Sequence, residues 1–168
     1  MKEYQNISHG FGPVYNSGSR ILILGSFPSV KSREQAFFYG HPRNRFWKVL
    51  AAVLKEEEPQ TVEEKKEMLL RRCVAVYDVI EQCSIIGSSD SSIKDVVPAD
   101  LGKIVAESQI RKIYTNGKTA GKLYRKYQDK ELNLPMEELP STSPANASYS
   151  LERLTAEWSS QLLSVLSE

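Results

Sequence analysis

Cysteine and histidine are scarce in this 168-residue chain, with two of each. Cys73 and Cys83 are too few for a disulfide framework and lack the spacing of a metal site. No apolar run is long enough to cross a bilayer, and the first residues lack the apolar segment of a secretory signal. We therefore expect a protein of the reducing cytoplasm that binds neither a metal nor a membrane.

The chain also has no large excess of charge of either sign, because 22 basic residues balance 21 acidic ones to a net charge of +1. Composition alone therefore does not indicate a nucleic-acid partner. Basic residues do cluster at 31–48 and 118–130, while acidic residues concentrate at 55–67. Such clusters are more often solvated helix faces than binding surfaces, so charge leaves the function open.

Short apolar runs alternate with amphipathic segments. Strands are predicted at 20–25, 73–80, 110–115 and 136–139. Helices are predicted to begin at Asn44, Thr61 and Pro98, after Lys118, and after Ser150. The segments 26–43 and 85–95 are predicted as loops. This alternation predicts one domain over residues 1–168, a three-layer α/β/α sandwich with a central four-stranded, mostly parallel sheet.

Polar, Gly-, Ser- and Pro-rich segments follow the predicted strands at 25–29, 116–118 and 141–146, and Asp78 lies near the end of another strand. In open α/β sheets, ligands bind at the carboxyl ends of the strands. Loops of this composition offer backbone N–H groups and hydroxyls to phosphates, although any one of them could be an ordinary turn. Together they predict a ligand site at one edge of the sheet.

Aromatic and basic residues are mixed in the segment 27–47, a combination that suits stacking on a base. Phe46 and Trp47 are expected in the core at the start of a helix. Tyr39, in a Tyr-Gly-His-Pro turn, is expected to face a pocket.

The chain lacks the common nucleophile, phosphate-loop, dinucleotide and zinc-deaminase motifs. His9 lies in an N-terminal loop with nothing to support a catalytic role, and His41 is only slightly better placed. Residue patterns alone therefore name no nucleophile.

Several motifs resemble those of the uracil-DNA glycosylase superfamily. GSFPS (25–29) after a buried strand resembles its motif one, and STSPANA (141–147) with SLERL (150–154) is similar to motif two and the closing helix. YGHPRNRFWKVL (39–50) looks like the matching segment of the mismatch-specific branch. DVIEQCSIIGSSDSSI (78–93) is similar to the sixth family, the hypoxanthine- (deoxyinosine-) DNA glycosylases. The resemblance extends over roughly residues 9–166.

This resemblance implies a four-stranded parallel sheet between helices. It also implies hydrolysis of the N-glycosidic bond of a flipped, deaminated base without a metal or organic cofactor. The implied partner is double-stranded DNA that contains such a base, and we expect a monomer. A Schiff-base lyase step is not expected, since neither main motif contains a lysine.

The resemblance also implies site residues. Other members carry a carboxylate or amide in motif one to position water, whereas the matching position here is Phe27. The expected catalytic residue is therefore Asn44, which matches the catalytic asparagine of the sixth family and would orient water or hydrogen-bond the base. The expected base-binding residues are Gly25, Ser26, Phe27, Tyr39 and Asp78. The expected DNA-binding residues are Ser29, Arg43, Gly117, Lys118, Ser143, Pro144, Ala145 and Asn146.

For two of the expected base-binding residues, the role toward the base can be stated in more detail. Tyr39 would stack on the flipped base, while Asp78 would either read a base edge or serve as a structural carboxylate at a strand end. Hypoxanthine is the preferred substrate on this interpretation. The alternatives are a uracil or thymine mismatch glycosylase of the same fold, a nucleic-acid-binding module with little or no activity, and a hydrolase of free nucleosides or nucleotides.

Overall fold

The computed structural model describes residues 3–167. Its central sheet has four strands in the order β3-β2-β6-β7, and all three neighbouring pairs are parallel. The strands are β2 (Ile21–Gly25), β3 (Val74–Asp78), β6 (Lys112–Asn116) and β7 (Met136–Leu139). Every residue of β2 and β3 is buried, which explains their continuous apolar character. The predicted parallel sheet is confirmed.

Seven helices surround this sheet within the described residues. They are α1 (Val30–Gln35), α2 (Phe46–Leu54), α3 (Val62–Arg71), α4 (Leu101–Ala106), α5 (Lys118–Tyr127), α6 (Asp129–Leu132) and α7 (Leu151–Leu166). None of the helices within 3–167 has the length and apolar character needed to cross a membrane.

Adjacent residues of β6 show how the layers are arranged. The hydroxyl of Tyr114 donates to the carbonyl of Gln161 in α7 at 2.9 Å. The next residue, Thr115, faces α5, where a β-carbon on Gly121 would lie 3.2 Å from its hydroxyl oxygen. Successive strand residues point to opposite faces, so α7 and α5 cover opposite faces of the sheet. The predicted three-layer sandwich is confirmed.

A second sheet was not predicted. It contains β1 (Gln5–Ser8), β4 (Ile80–Ile85) and β5 (Lys94–Pro98), paired antiparallel in the order β1-β4-β5. The residues of β1 and β5 are mostly exposed, so no apolar alternation marks them in the sequence. One residue separates β4 from β3, which made a single longer strand the simpler interpretation of 73–80.

This second sheet helps to position the ends of β2 and β3. Beyond β3, the backbone N–H of Val79 donates to Gly25 at 2.9 Å, and that of Ile80 donates to Ser26 at 3.1 Å. The two chain segments that leave the neighbouring strands are therefore held together as they enter the polar edge of the sheet.

Three element boundaries differ from the predictions. α1 lies within the predicted loop and begins after Ser29, whose hydroxyl accepts from the N–H of Ser32. The helix predicted at Asn44 begins at Phe46. Pro98 ends a strand, and the following helix begins after Asp100, whose carboxylate caps it. A side-chain cap decides the start of α1 and of α4.

Packing between α2 and α7 fixes the loop that follows β7. Phe46 and Trp158 meet edge to face with ring centroids 5.8 Å apart, and both are completely buried. The indole N–H of Trp158 donates to the carbonyl of Pro140 at 2.9 Å. Phe46 and Trp47 are core residues, as predicted.

The N-cap of α3 allows a test of local stability. The hydroxyl of Thr61 accepts from the N–H of Glu64 at 3.1 Å, and this cap agrees with the predicted start of the helix at Thr61. We expect Thr61→Ala to lower the free energy of unfolding by about 1 kcal/mol, because a helix N–H loses its acceptor. The matched control is Thr155→Ala within α7, where the hydroxyl only supplements a helix carbonyl. Urea denaturation of both variants measures the difference, and equal losses would contradict the capping role.

Candidate functional site

A cavity of about 300 Å³ lies at the carboxyl ends of the parallel strands. It collects most of the residues predicted to bind a base or its phosphates. These are Gly25, Ser26, Phe27, Ser29, Tyr39, Asn44, Asp78, Ser143 and Pro144. The strand-end location follows from the parallel sheet, because the loops that leave all four strands meet at one edge.

A second depression adjoins this cavity and shares Ser26, Asn116 and Ser143 with it. The remaining predicted DNA-binding residues line it, with one exception. These are Gly117, Lys118, Ala145 and Asn146. The exception is Arg43, an exposed residue that lines neither depression. The backbone N–H of Arg43 donates to Nδ1 of His41 at 3.0 Å.

Asn44 is held in one orientation by two hydrogen bonds. Its side-chain oxygen accepts from the backbone N–H of Phe46 at 2.9 Å and from the hydroxyl of Thr142 at 2.8 Å. A backbone N–H can only donate, so the atom that faces it must be the amide oxygen. Both lone pairs of that oxygen are used. The amide NH₂ group makes no hydrogen bond with the described residues and is left for a ligand of the cavity.

Thr142 and Asn116 connect Asn44 to the end of β6. The Thr142 hydroxyl accepts from the side-chain NH₂ of Asn116 at 2.9 Å, and the Thr142 backbone N–H donates to the Asn116 oxygen at 3.0 Å. Thr142 is completely buried. Because every group in this chain of hydrogen bonds has a defined direction, the network orients Asn44 before any ligand binds.

Asp78 contacts a residue that the sequence did not single out. Nε2 of His9 lies 2.7 Å from Oδ2 of Asp78, and the two residues are 1% and 4% exposed. The carboxylate accepts, so Nε2 carries a hydrogen. His9 lies in the loop after β1, and the structure brings it against a residue of the cavity. Its approach to Asp78 depends on the pairing of β1 with β4 and could not be seen in the sequence.

Tyr39 closes the floor of the cavity beside Asp78. One face of its ring stacks on Phe46 at a centroid distance of 4.0 Å, so a base could use only the other face. Its hydroxyl is buried and donates no hydrogen bond within the described residues, although the side chain of Asn116 approaches its oxygen. Burial raises the pKa of Tyr39 far above its ordinary value of 10.0, and the nearby charge of Asp78 adds to the effect, against the opposing effect of Asn116. The hydroxyl therefore stays protonated.

Gly25 makes room for both groups. A β-carbon at this position would collide with Oδ1 of Asp78 and would lie 3.1 Å from the hydroxyl oxygen of Tyr39. Gly25 is also the residue paired with Asp78 across β2 and β3. The absence of a side chain here allows a carboxylate and a phenol to approach the same point of the floor.

Phe27 forms an apolar wall of the cavity. It is 8% exposed and packs with Ile80, Cys83 and Ile85. The guanidinium of Arg33 lies 5.8 Å from its ring centroid. A phenyl ring cannot hold a water molecule, so any group that positions water must come from elsewhere in the site.

Asp90 is a second carboxylate at the rim of the cavity. It lies in a short 3₁₀ turn (Asp90–Ser92) and accepts a hydrogen bond from the Ser26 hydroxyl at 3.1 Å. Desolvation raises the pKa of Asp90 above its ordinary value of 3.8, and the negative charge of Asp78 raises it further, against the opposing effect of the Ser26 hydrogen bond. Asp90 lies in the segment 85–95, which was predicted as a loop, and no role was predicted for it.

Arg45 organises the loop that follows β7. Its guanidinium donates to the backbone carbonyls of Ser143 at 3.1 Å, Asn146 at 3.0 Å and Tyr149. Its own backbone N–H donates to Thr142 at 3.1 Å. Arg45 therefore ties the segment before α2 to the loop that carries Ser143 to Asn146.

Known proteins provide the context for this geometry. The sequence profile of the Uracil DNA glycosylase superfamily matches residues 13–166. A curated relative from Methanosarcina acetivorans, named Hypoxanthine DNA glycosylase, is 33% identical over 156 residues, which cover 90% of this chain and 96% of the relative. A protein of the same name from Methanosarcina barkeri is 36% identical over 87 residues, or 51% of this chain and 55% of that protein.

A solved structure agrees with these sequence relatives. The solution NMR structure of a Methanosarcina acetivorans protein, described as a candidate uracil DNA glycosylase, superposes with a TM-score of 0.82 at 30% identity. The superposition covers 98% of this chain and 100% of the other.

The contacts of Arg45 predict a local loss of order in its variant. We expect Arg45→Lys to speed amide hydrogen exchange at Asn146 and Tyr149, whose N–H groups close turns within the loop. A single ammonium cannot span the carbonyls that a planar guanidinium reaches. Exchange followed by mass spectrometry measures the change, and Arg43→Lys at the exposed neighbour is the control. Unchanged protection of the loop in Arg45→Lys would contradict the organising role.

Proposed function

This chain belongs to the uracil-DNA glycosylase superfamily, and from that premise we propose that it is a monofunctional DNA glycosylase of base excision repair that releases hypoxanthine from deoxyinosine. It hydrolyses the bond between C1′ of the sugar and the base. The products are free hypoxanthine and an abasic site in double-stranded DNA. The similarity to two proteins named Hypoxanthine DNA glycosylase supports this substrate.

The observation that carries the proposal is the orientation of Asn44. Cleavage of the glycosidic bond leaves negative charge on the departing base and positive charge on the sugar. A fixed N–H donor aimed at the base stabilises that charge as it develops and needs no reorganisation. Asn44 offers such a donor, because Phe46 and Thr142 occupy its oxygen. We therefore assign Asn44 to the leaving base rather than to the attacking water.

The surrounding groups support binding of a flipped nucleotide. Phe27 supplies an apolar wall for the base at the cavity. Gly117 and Lys118, at the start of α5, and the loop from Ser143 to Asn146 line the adjoining depression. Backbone N–H groups at a helix N-terminus, hydroxyls and an ammonium are suitable donors for phosphate oxygens. Flipping a base out of the duplex costs a few kcal/mol. The cost is smaller at a mispair, which favours the deaminated base.

Base release and the Asn44 variant test the proposal together. Duplexes with a single deoxyinosine, uracil or G·T pair are incubated with the protein without added metal, and abasic sites are scored. We expect release of hypoxanthine, and a fall of about 100-fold in Asn44→Ala, the size of effect that follows loss of one charge-stabilising donor. Asn6→Ala on β1 is the control, since Asn6 bonds only within the second sheet.

Three outcomes would contradict parts of this proposal. Release of uracil but not of hypoxanthine would make uracil the substrate. Release of no base from any of the duplexes would refute the proposed glycosylase activity. A full rate in Asn44→Ala would refute the role of the amide.

The orientation itself is tested at Thr142. We expect Thr142→Val to lower the rate about tenfold, because loss of the hydroxyl frees one lone pair of Asn44 and loosens its amide. Thr142→Ser keeps the hydroxyl and should keep most of the rate. Single-turnover kinetics of the two variants on deoxyinosine measure this difference, and equal rates would contradict the orienting role.

The attacking water also needs an acceptor, and we assign this role to Asp90. Oδ2 of Asp78 accepts from His9, and its other oxygen lies beside Gly25 and Tyr39, where the base is expected. The side chain of Phe27 has no polar atom to offer. Asp90 is exposed at the rim of the cavity and accepts from Ser26, so a water molecule can reach it from solvent. Only its ionised form can accept the proton of water.

The raised pKa of Asp90 predicts the direction of the pH dependence. Because its pKa is raised above 3.8, Asp90 takes up a proton at a higher pH than ordinary aspartates do. The rate of base release should therefore fall as the pH is lowered toward that pKa. Asp90→Asn should be slower and should lack this part of the pH profile. Asp95→Asn, at an exposed aspartate of β5, is the control. A wild-type pH profile in Asp90→Asn would contradict the assignment.

A further inference from the structure

We infer that Asp78, held by His9, and Tyr39 form a pair that recognises the ring N–H and carbonyl which deamination creates in a base. This inference rests on the proposed function and specifies how the same cavity distinguishes a deaminated base from its amino parent. It also gives His9 a positioning role that the sequence did not indicate.

His9 fixes one oxygen of Asp78 and leaves the other for a ligand. The imidazole Nε2 donates to Oδ2 at 2.7 Å, while Oδ1 has no hydrogen-bond partner among residues 3–167. The imidazole is itself held by aromatic rings, with its centroid 4.6 Å from that of Phe11 and 4.4 Å from that of Tyr77. The carboxylate is therefore held from behind, and its free oxygen is an acceptor at the floor of the cavity.

Tyr39 places a donor beside this acceptor. Its hydroxyl is buried, and the hydrogen has no acceptor in the described part of the chain, an arrangement that proteins generally avoid. Both the hydroxyl oxygen and Oδ1 of Asp78 approach the point where a β-carbon of Gly25 would lie. A donor and an acceptor thus lie near the same point of the floor, with the phenol just beneath the cavity surface, and neither has its complementary protein partner among the described residues.

The chemistry of deamination matches this pair. In adenine, N1 is an acceptor and N6 is a donor, whereas in hypoxanthine N1 carries a hydrogen and O6 is an acceptor. Conversion of cytosine to uracil changes N3 and the exocyclic group in the same direction. A carboxylate oxygen that accepts the new N–H and a phenol that donates to the new carbonyl fit the product. The parent base would instead place a ring lone pair against the carboxylate.

The role of His9 follows from this polarity. Without the imidazole, buried Oδ2 of Asp78 would lose its donor, and the carboxylate would no longer be held in this orientation. The acceptor would then leave its place on the floor. Gln at position 9 can still donate through its amide, so it should maintain the carboxylate, whereas Leu cannot.

The test uses the proposed enzyme and two purine substrates. One duplex contains deoxyinosine, and the other contains the 2′-deoxyribonucleoside of unsubstituted purine, whose N1 is an acceptor and which has no O6. Single-turnover rates give the preference for deoxyinosine. The intrinsic difference between the two leaving groups cancels when this preference is compared between wild type and variants.

In Asp78→Asn, the N–H of His9 would donate to the amide oxygen, and the NH₂ group would then point toward the cavity. The floor would present a donor at the position where the wild type presents an acceptor. We expect the preference for deoxyinosine to fall at least about tenfold in Asp78→Asn and in His9→Leu, because a site built around a hydrogen bond rejects the mismatched edge. His9→Gln should recover most of the preference.

Tyr39→Phe separates recognition from folding. It removes only a hydroxyl that donates no hydrogen bond within the described residues, so thermal denaturation should show a melting temperature close to that of wild type. The preference for deoxyinosine should nevertheless fall. This variant keeps the inference testable if replacement of a residue in the His9 pair unfolds the protein.

The outcomes are distinguishable. Equal losses on both substrates in every variant, with the preference unchanged, would show a structural role only and would overturn the inference. A wild-type enzyme that releases both purines at equal rates would overturn it as well. A wild-type protein that releases no base from any duplex would instead refute the proposed function.

Discussion

Parallel hydrogen bonding of β2 to a strand on each side is the constraint on which the site depends. In these registers Gly25 lies opposite Asp78, and Leu24 lies opposite Thr115. Parallel neighbours end at the same edge of a sheet, so loops that are far apart in the chain meet there. The antiparallel sheet of β1, β4 and β5 adds to this edge and brings His9 against the end of β3.

Hydrogen-bond direction then gives the cavity a defined polarity. Asn44 presents a donor because Phe46 and Thr142 satisfy its oxygen, and Asp78 presents an acceptor because His9 satisfies its other oxygen. The hydrogen of the buried Tyr39 hydroxyl has no acceptor among residues 3–167. An unpaired buried polar group costs about 1–3 kcal/mol, and such costs are typical of sites that await a ligand. The protein is thus organised for binding before a base enters.

Local patterns predicted much of the fold. Apolar runs marked β2, β3 and β6, the short segment 136–139 was predicted as the fourth strand, and Thr61 and Ser150 marked the starts of two helices. The second sheet was missed because its outer strands are exposed and lack alternation. The helix α1 was missed because Pro28, Gly40 and Pro42 made the segment look irregular, whereas the Ser29 cap is sufficient to begin a short helix between them.

Sequence by itself determined which residues stand at the strand ends, since each loop follows its strand along the chain, and motif resemblance singled out Asn44 and Phe27. Tertiary structure alone decided which way Asn44 points, that Thr142 and Asn116 hold it, and that His9 reaches Asp78. Periodicity and capping describe neighbours within a few residues. These hydrogen bonds join residues that are distant in the chain, and only the packing of the sheets and loops brings such partners together.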